Sequence, residues 1–92
     1  MLSLDSVLTP NPMVVGRIVN DEAVLVLPEI GEVKVLNEVG SRIWELTDGT
    51  LSINQISTLI FDEFEIDKST AQKDTLEFAV ECLEMEIFLI ET

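Results

Sequence analysis

The sequence predicts an α+β domain in which a three-stranded antiparallel sheet is followed by three helices. Before Leu36 the runs rich in Val, Ile and Leu are short and separated by turn residues, as in a small sheet. After Leu36 the apolar spacing changes from two residues to about 3.6, the period of a helix. A third sign is local: Ser52 and Gln55 stand three apart just ahead of an apolar run, the pattern of a capping box.

Residues 1–12, ending in Pro10-Asn11-Pro12, read as an extended arm before a single domain over residues 13–92. Proline holds itself and its predecessor out of helical geometry. Met13–Val19 and Ala23–Leu27 make two strands joined by a hairpin loop at Asn20-Asp21-Glu22. Pro28-Glu29-Ile30-Gly31 supplies the next turn, and Glu32–Leu36 is the third strand. In it Val33 and Val35 face one way while Glu32 and Lys34 face the other. Loops this short make the sheet a meander.

Asn37 can cap a first helix whose apolar positions are Val39, Ile43 and Leu46, widened by Trp44 and stopped at Asp48-Gly49. The second helix starts at Ser52, with Leu51 and Ile56 as its hydrophobic staple and Ile53, Ile60 and Phe64 on its apolar face. A third begins at Asp67 or Ser69, either of which can cap, and runs to about Met85; Ile87–Ile90 follows as an apolar tail. On that helix Thr75, Phe78, Ala79, Cys82 and Met85 form one arc, and Leu76, Val80, Leu83 and Ile87 the adjoining one. Together they span roughly 220°, about twice the stripe one packed face needs. Either the strands and the arm bury both arcs, or the second walls a groove for a partner.

Composition excludes several functions. The formal charge is −13, with Arg17, Lys34, Arg42, Lys68 and Lys73 the only cations. Such a chain repels phosphate backbones and anionic headgroups, so neither nucleic acid nor a membrane surface is an expected partner. The acidity serves solubility or a basic partner. No apolar run approaches the roughly 20 residues of a membrane span, and residues 1–12 lack the positive charge of a signal peptide. A single cysteine, Cys82, allows no internal disulfide and suits a cytoplasmic protein. The chain has no His and no Tyr, which removes the commonest general base and a common phenolic acid. Cys82, on an apolar helix face with no His to activate it, reads as a core residue. The four glycines are scattered and no ligand spacing suits zinc or calcium, so neither catalysis, metal nor cofactor is expected.

The segment Leu36-Asn37-Glu38-Val39-Gly40-Ser41-Arg42-Ile43-Trp44-Glu45-Leu46-Thr47-Asp48-Gly49 resembles the signature of the PqqD-like family. The likeness continues through the Ser52 helix and Asp74–Phe78, and runs back through Asn11-Pro12 and the strands. Two departures from the family pattern stand out: Val33 and Val35 stand where aromatic residues are frequent, and Glu86 where a Gly usually ends the last helix. The resemblance implies a winged-helix-like fold and a non-catalytic recognition element that holds the leader segment of a ribosomally made precursor peptide. It implies presentation of that precursor to a modifying enzyme, often a radical-SAM protein. In the family the leader adds as a strand along the third strand, which places contacts at Glu32, Val33, Lys34, Val35 and Leu36. The opposite wall would then be the surplus arc of Leu76, Val80 and Leu83.

Two other readings fit parts of the pattern. The same free edge and apolar arc would serve a second copy in a homodimeric assembly subunit. A winged helix that reads DNA needs basic residues on its groove helix, and Ser52–Phe64 has none.

Overall fold

In the computed structural model, which describes residues 2–90, the chain runs β1 (Leu8–Pro10), β2 (Val15–Val19), β3 (Glu22–Leu27), β4 (Glu32–Val35), α1 (Glu38–Leu46), α2 (Ile53–Glu63), α3 (Lys68–Glu84) and β5 (Phe88–Ile90). The expected sheet is present as β2-β3-β4, antiparallel throughout, with the three expected helices after it. Its first loop is one residue shorter than the sequence suggests. Asn20 and Asp21 both take positive φ, 50° and 66°, which closes a two-residue hairpin and leaves Glu22 to pair with Val19.

The sheet is apolar on both faces. Ala23, Leu25 and Leu27 point inward and are buried. On the other face Val15, Val26 and Val33 align across the strands, and Arg17, Val24 and Val35 form the next row. Val33 and Val35 therefore alternate as expected but point to solvent, 66% and 58% exposed. Lys34 lies half-buried on the inner side, paired with Leu25.

Packing of α1 on this sheet depends on one glycine. A Cβ at Gly16 would overlap the Trp44 ring and come within 2.7 Å of Leu25 Cδ2, so only Gly lets the indole lie against β2. Gly40 does similar work toward α3: a Cβ there would stand 3.0 Å from the Phe78 ring. Ser41 ties α1 to β3. Where β4 ends, the Ala23 N–H loses its strand acceptor and donates instead to Ser41 Oγ (2.6 Å), which donates to the Asn37 carbonyl (2.7 Å). Both groups are buried.

Helix starts follow local chemistry. Asn37 Oδ1 accepts from Gly40 N–H, Ser52 and Gln55 complete both halves of the capping box, and Asp67 rather than Ser69 caps α3. The arm carries β1, which pairs with β5 in a second, two-stranded antiparallel sheet. Upstream of it, the Leu4 and Ser6 carbonyls accept from Asn54 and Ile53 N–H at the start of α2. Leu8, Ile87 and Phe88 belong to the core; the apolar tail is thus a strand. A second cluster around Ile43, Ile56, Ile60 and Ala71 joins the three helices, and Phe78 packs against both clusters.

The end of α3 explains the departure at Glu86. Ile87 N–H bonds to Cys82 C=O and Glu86 N–H to Leu83 C=O, the two bonds of a Schellman motif. That motif puts the residue after the cap in the left-handed region, and Glu86 has φ 58°. Asn11 braces the turn, donating from its amide side chain to the Glu86 carbonyl and from its backbone to Ile87. A side chain in this conformation costs about 1 kcal/mol or more, whereas Gly adopts it freely.

Glu86→Gly is accordingly expected to raise unfolding free energy by about 1 kcal/mol. Urea titration checks it, and an unchanged midpoint would show that the turn is not strained. Ser41→Ala is expected to cost about 1–3 kcal/mol, because it strands the buried Ala23 N–H. The same titration reads that loss, and a neutral result would mean that water or another acceptor replaces the hydroxyl.

Candidate functional site

β4 is the end strand of its sheet, so its outer edge carries backbone N–H and C=O groups with no strand beside them among the described residues. α3 comes near both ends of that strand. Near the end of β4, Asn37 and Gly40 meet Asp74, Glu77, Phe78 and Glu81 around an open cleft of about 280 Å³. Near its start, Leu27, Pro28 and Ile30 meet Met85 and Glu86 around a smaller hollow. Between them Lys34 lies close enough to Cys82 to act on its charge.

The flank of α3 that faces the edge is set by helix phase. Ala71, Thr75, Ala79 and Cys82 are buried and define the inward direction. At about 100° per residue, Asp74, Phe78, Glu81 and Met85 lie to one side of it, and Gln72, Leu76, Val80 and Leu83 to the other. The first set borders the cleft. The second turns toward α2, where Gln72 Nε2 donates to Asn54 Oδ1 (3.1 Å).

The structure thus brings Glu32, Val33, Lys34, Val35 and Leu36 together as strand and strand end, with Leu36 buried and its N–H bonded to Ala23 C=O. It does not bring Leu76, Val80 and Leu83 to the same cleft. Leu76 and Leu83 are half-buried against the core that also takes Leu2 and Leu4 of the arm. Val80 stays 41% exposed on that far flank. The cleft-side wall of Asp74, Glu77, Phe78 and Glu81 escaped sequence reasoning. Phe78 was legible as apolar, but its edge-on contact with Phe88 (centroids 6.2 Å apart) leaves part of the ring open toward the cleft.

The chemistry of this region is that of a binding surface. Burial pushes the Cys82 thiol up to about 12; Glu81 adds to the rise and Lys34 opposes it. A thiol so placed stays protonated and is a poor nucleophile. Among the described residues no group of His, Cys, Asp and Glu is arranged to hold a metal ion. Among the described residues no helix is long and apolar enough to cross a membrane.

A family model described as coenzyme PQQ synthesis protein D (PqqD) matches residues 22–86. Among solved structures, TbiB1 in complex with the TbiA(beta) leader peptide is similar over 87% of this chain and 93% of that one. Its TM-score is 0.79 and its identity 29%. Lasso peptide synthetase B1 complexed with the leader peptide shares the fold over 89% and 96%, with a TM-score of 0.78 and 18% identity. No curated protein gives a significant match.

The placement of Val80 has a direct test. Val80→Glu is expected to change stability by no more than about 0.5 kcal/mol, as at other surface positions. Phe78→Glu, which buries a carboxylate between both core clusters, should unfold the domain. Thermal melts of the two variants decide it: a Val80→Glu protein that melts as early as Phe78→Glu would put Val80 in the core.

Proposed function

The chain belongs to the PqqD family, and from that premise we propose that it is a non-catalytic adaptor for the leader segment of a ribosomally made precursor peptide. The leader adds as a strand to the free edge of β4, over Glu32–Leu36, and lies against the Asp74–Phe78–Glu81 flank of α3. A modifying enzyme, of the radical-SAM class in this reading, takes the precursor from the adaptor. The observation that carries the proposal is the open β4 edge, with a cleft between α1 and α3 that opens just past its end. Support comes from the solved relatives, both of which hold leader peptides.

The physics suits the task. An extended peptide satisfies the backbone groups of an end strand whatever its side chains, and alternate side chains reach the helix wall. No proton transfer or nucleophile is required, which agrees with a chain that has no His and whose one thiol is buried. Holding the leader raises the effective concentration of the rest of the precursor at the enzyme.

A second copy is the competing occupant of the edge. Charge weighs against it, since each chain carries −13 and like charges repel at low salt.

Titrating isotope-labelled protein with the leader of the precursor encoded beside its gene is expected to shift the amides of Glu32–Leu36. Those of Asp74, Phe78 and Glu81 should move with them. Shifts gathered on Ile53–Glu63 instead would remove β4 from the site.

A further inference from the structure

We infer that the peptide seated on β4 is a two-faced strand, with β-branched residues on its outer side and Arg or Lys on the side toward α3. This rests on the strand-addition reading and adds the chemistry of the occupant. The outer face of the sheet is built of aligned rows, Val15–Val26–Val33 and Arg17–Val24–Val35, that end at the free edge. An added strand continues these rows, so its outward side chains become cross-strand neighbours of the exposed Val33 and Val35. Such pairs favour β-branched and aromatic partners.

The inward side chains of the same strand meet a different surface. Asp74, Glu77 and Glu81 border the cleft just past the end of β4, and Glu32 stands on the inner side of the strand at its start. Among the described residues the ion pairs are those of Arg42 with Glu45 and Glu63, so none of these carboxylates has a cation within 4.0 Å. Lys34 is the only cation of β4 and stays half-buried on its inner side, paired with Leu25. Phe78 presents part of its ring between Asp74 and Glu81. A long basic side chain matches that arrangement: its methylenes cover the ring while its head group reaches the carboxylates. An inward Glu would meet only like charge.

The test uses three end-capped synthetic heptapeptides that alternate Val with Arg, Gln or Glu. Two charge variants of the protein accompany them. Glu77→Lys with Glu81→Lys changes the cleft; Asp62→Lys with Glu65→Lys changes net charge equally at exposed positions elsewhere. The Arg peptide is expected to bind about tenfold more tightly than the Gln peptide at low salt, and the Glu peptide least. The cleft variant should lose that preference and the control variant keep it. Equal affinity for the Arg and Gln peptides, with β4 amides still shifting, would overturn the inference while strand addition stands. Equal loss of preference in both variants would also overturn it, by assigning the effect to net charge. If no peptide shifts the β4 amides, the strand-addition reading falls as well.

Discussion

The hydrogen bond from the buried Ala23 amide to the Ser41 hydroxyl holds the two halves of this fold in register. β4 leaves the sheet at Leu36 to start α1, and that departure would leave a donor of β3 facing apolar surroundings. Ser41 fills the gap from within the first turn of the helix and passes its own proton to the Asn37 carbonyl. One hydroxyl thus ends the β3–β4 ladder and fixes where α1 begins. Because an unmade buried hydrogen bond costs far more than a made one yields, the junction has little freedom to slide.

From that junction the positions of the other helices follow by contact. The Trp44 indole reaches β2 only because Gly16 has no side chain, and α3 approaches α1 only as closely as Gly40 and the Phe78 ring permit. Gly40 and Trp44 are among the residues that make the Leu36–Gly49 segment distinctive, and their reason is steric. They set the gap between β4 and α3, since a larger residue at position 40 would push Phe78 toward the cleft it borders. The cleft is therefore a by-product of tight packing between α1 and α3.

Much of this architecture is local enough to read from residues alone. Asn37, Ser52 and Asp67 cap where their side chains can reach a backbone N–H three residues on, which depends on nothing distant. The strands of the main sheet are bounded by Pro28, Gly31 and the Asn20-Asp21 pair for the same reason. β1 and β5 are harder: each is three residues long, one contains Pro10, and their pairing spans most of the chain. Hydropathy misleads about which face of β4 is inside, because the outward Val33 and Val35 are more apolar than Glu32 and Lys34 on the inner side. For α3 the periodicity marks two apolar arcs but cannot say which flank meets β4. That depends on the contact between Gly40 and Phe78, which is tertiary. Of the surplus arc, Leu76 and Leu83 are half-buried against the core and Val80 is exposed, and the cleft uses the other side.

The pairing of β1 with β5 places Leu8 opposite Ile90 and makes each three-residue strand the other's partner in a sheet of two. Upstream of β1 the arm holds the start of α2 through the Leu4 and Ser6 carbonyls and packs Leu2 and Leu4 against the core. Trimming either end of the fold therefore loosens both, since the strand left behind loses its partner.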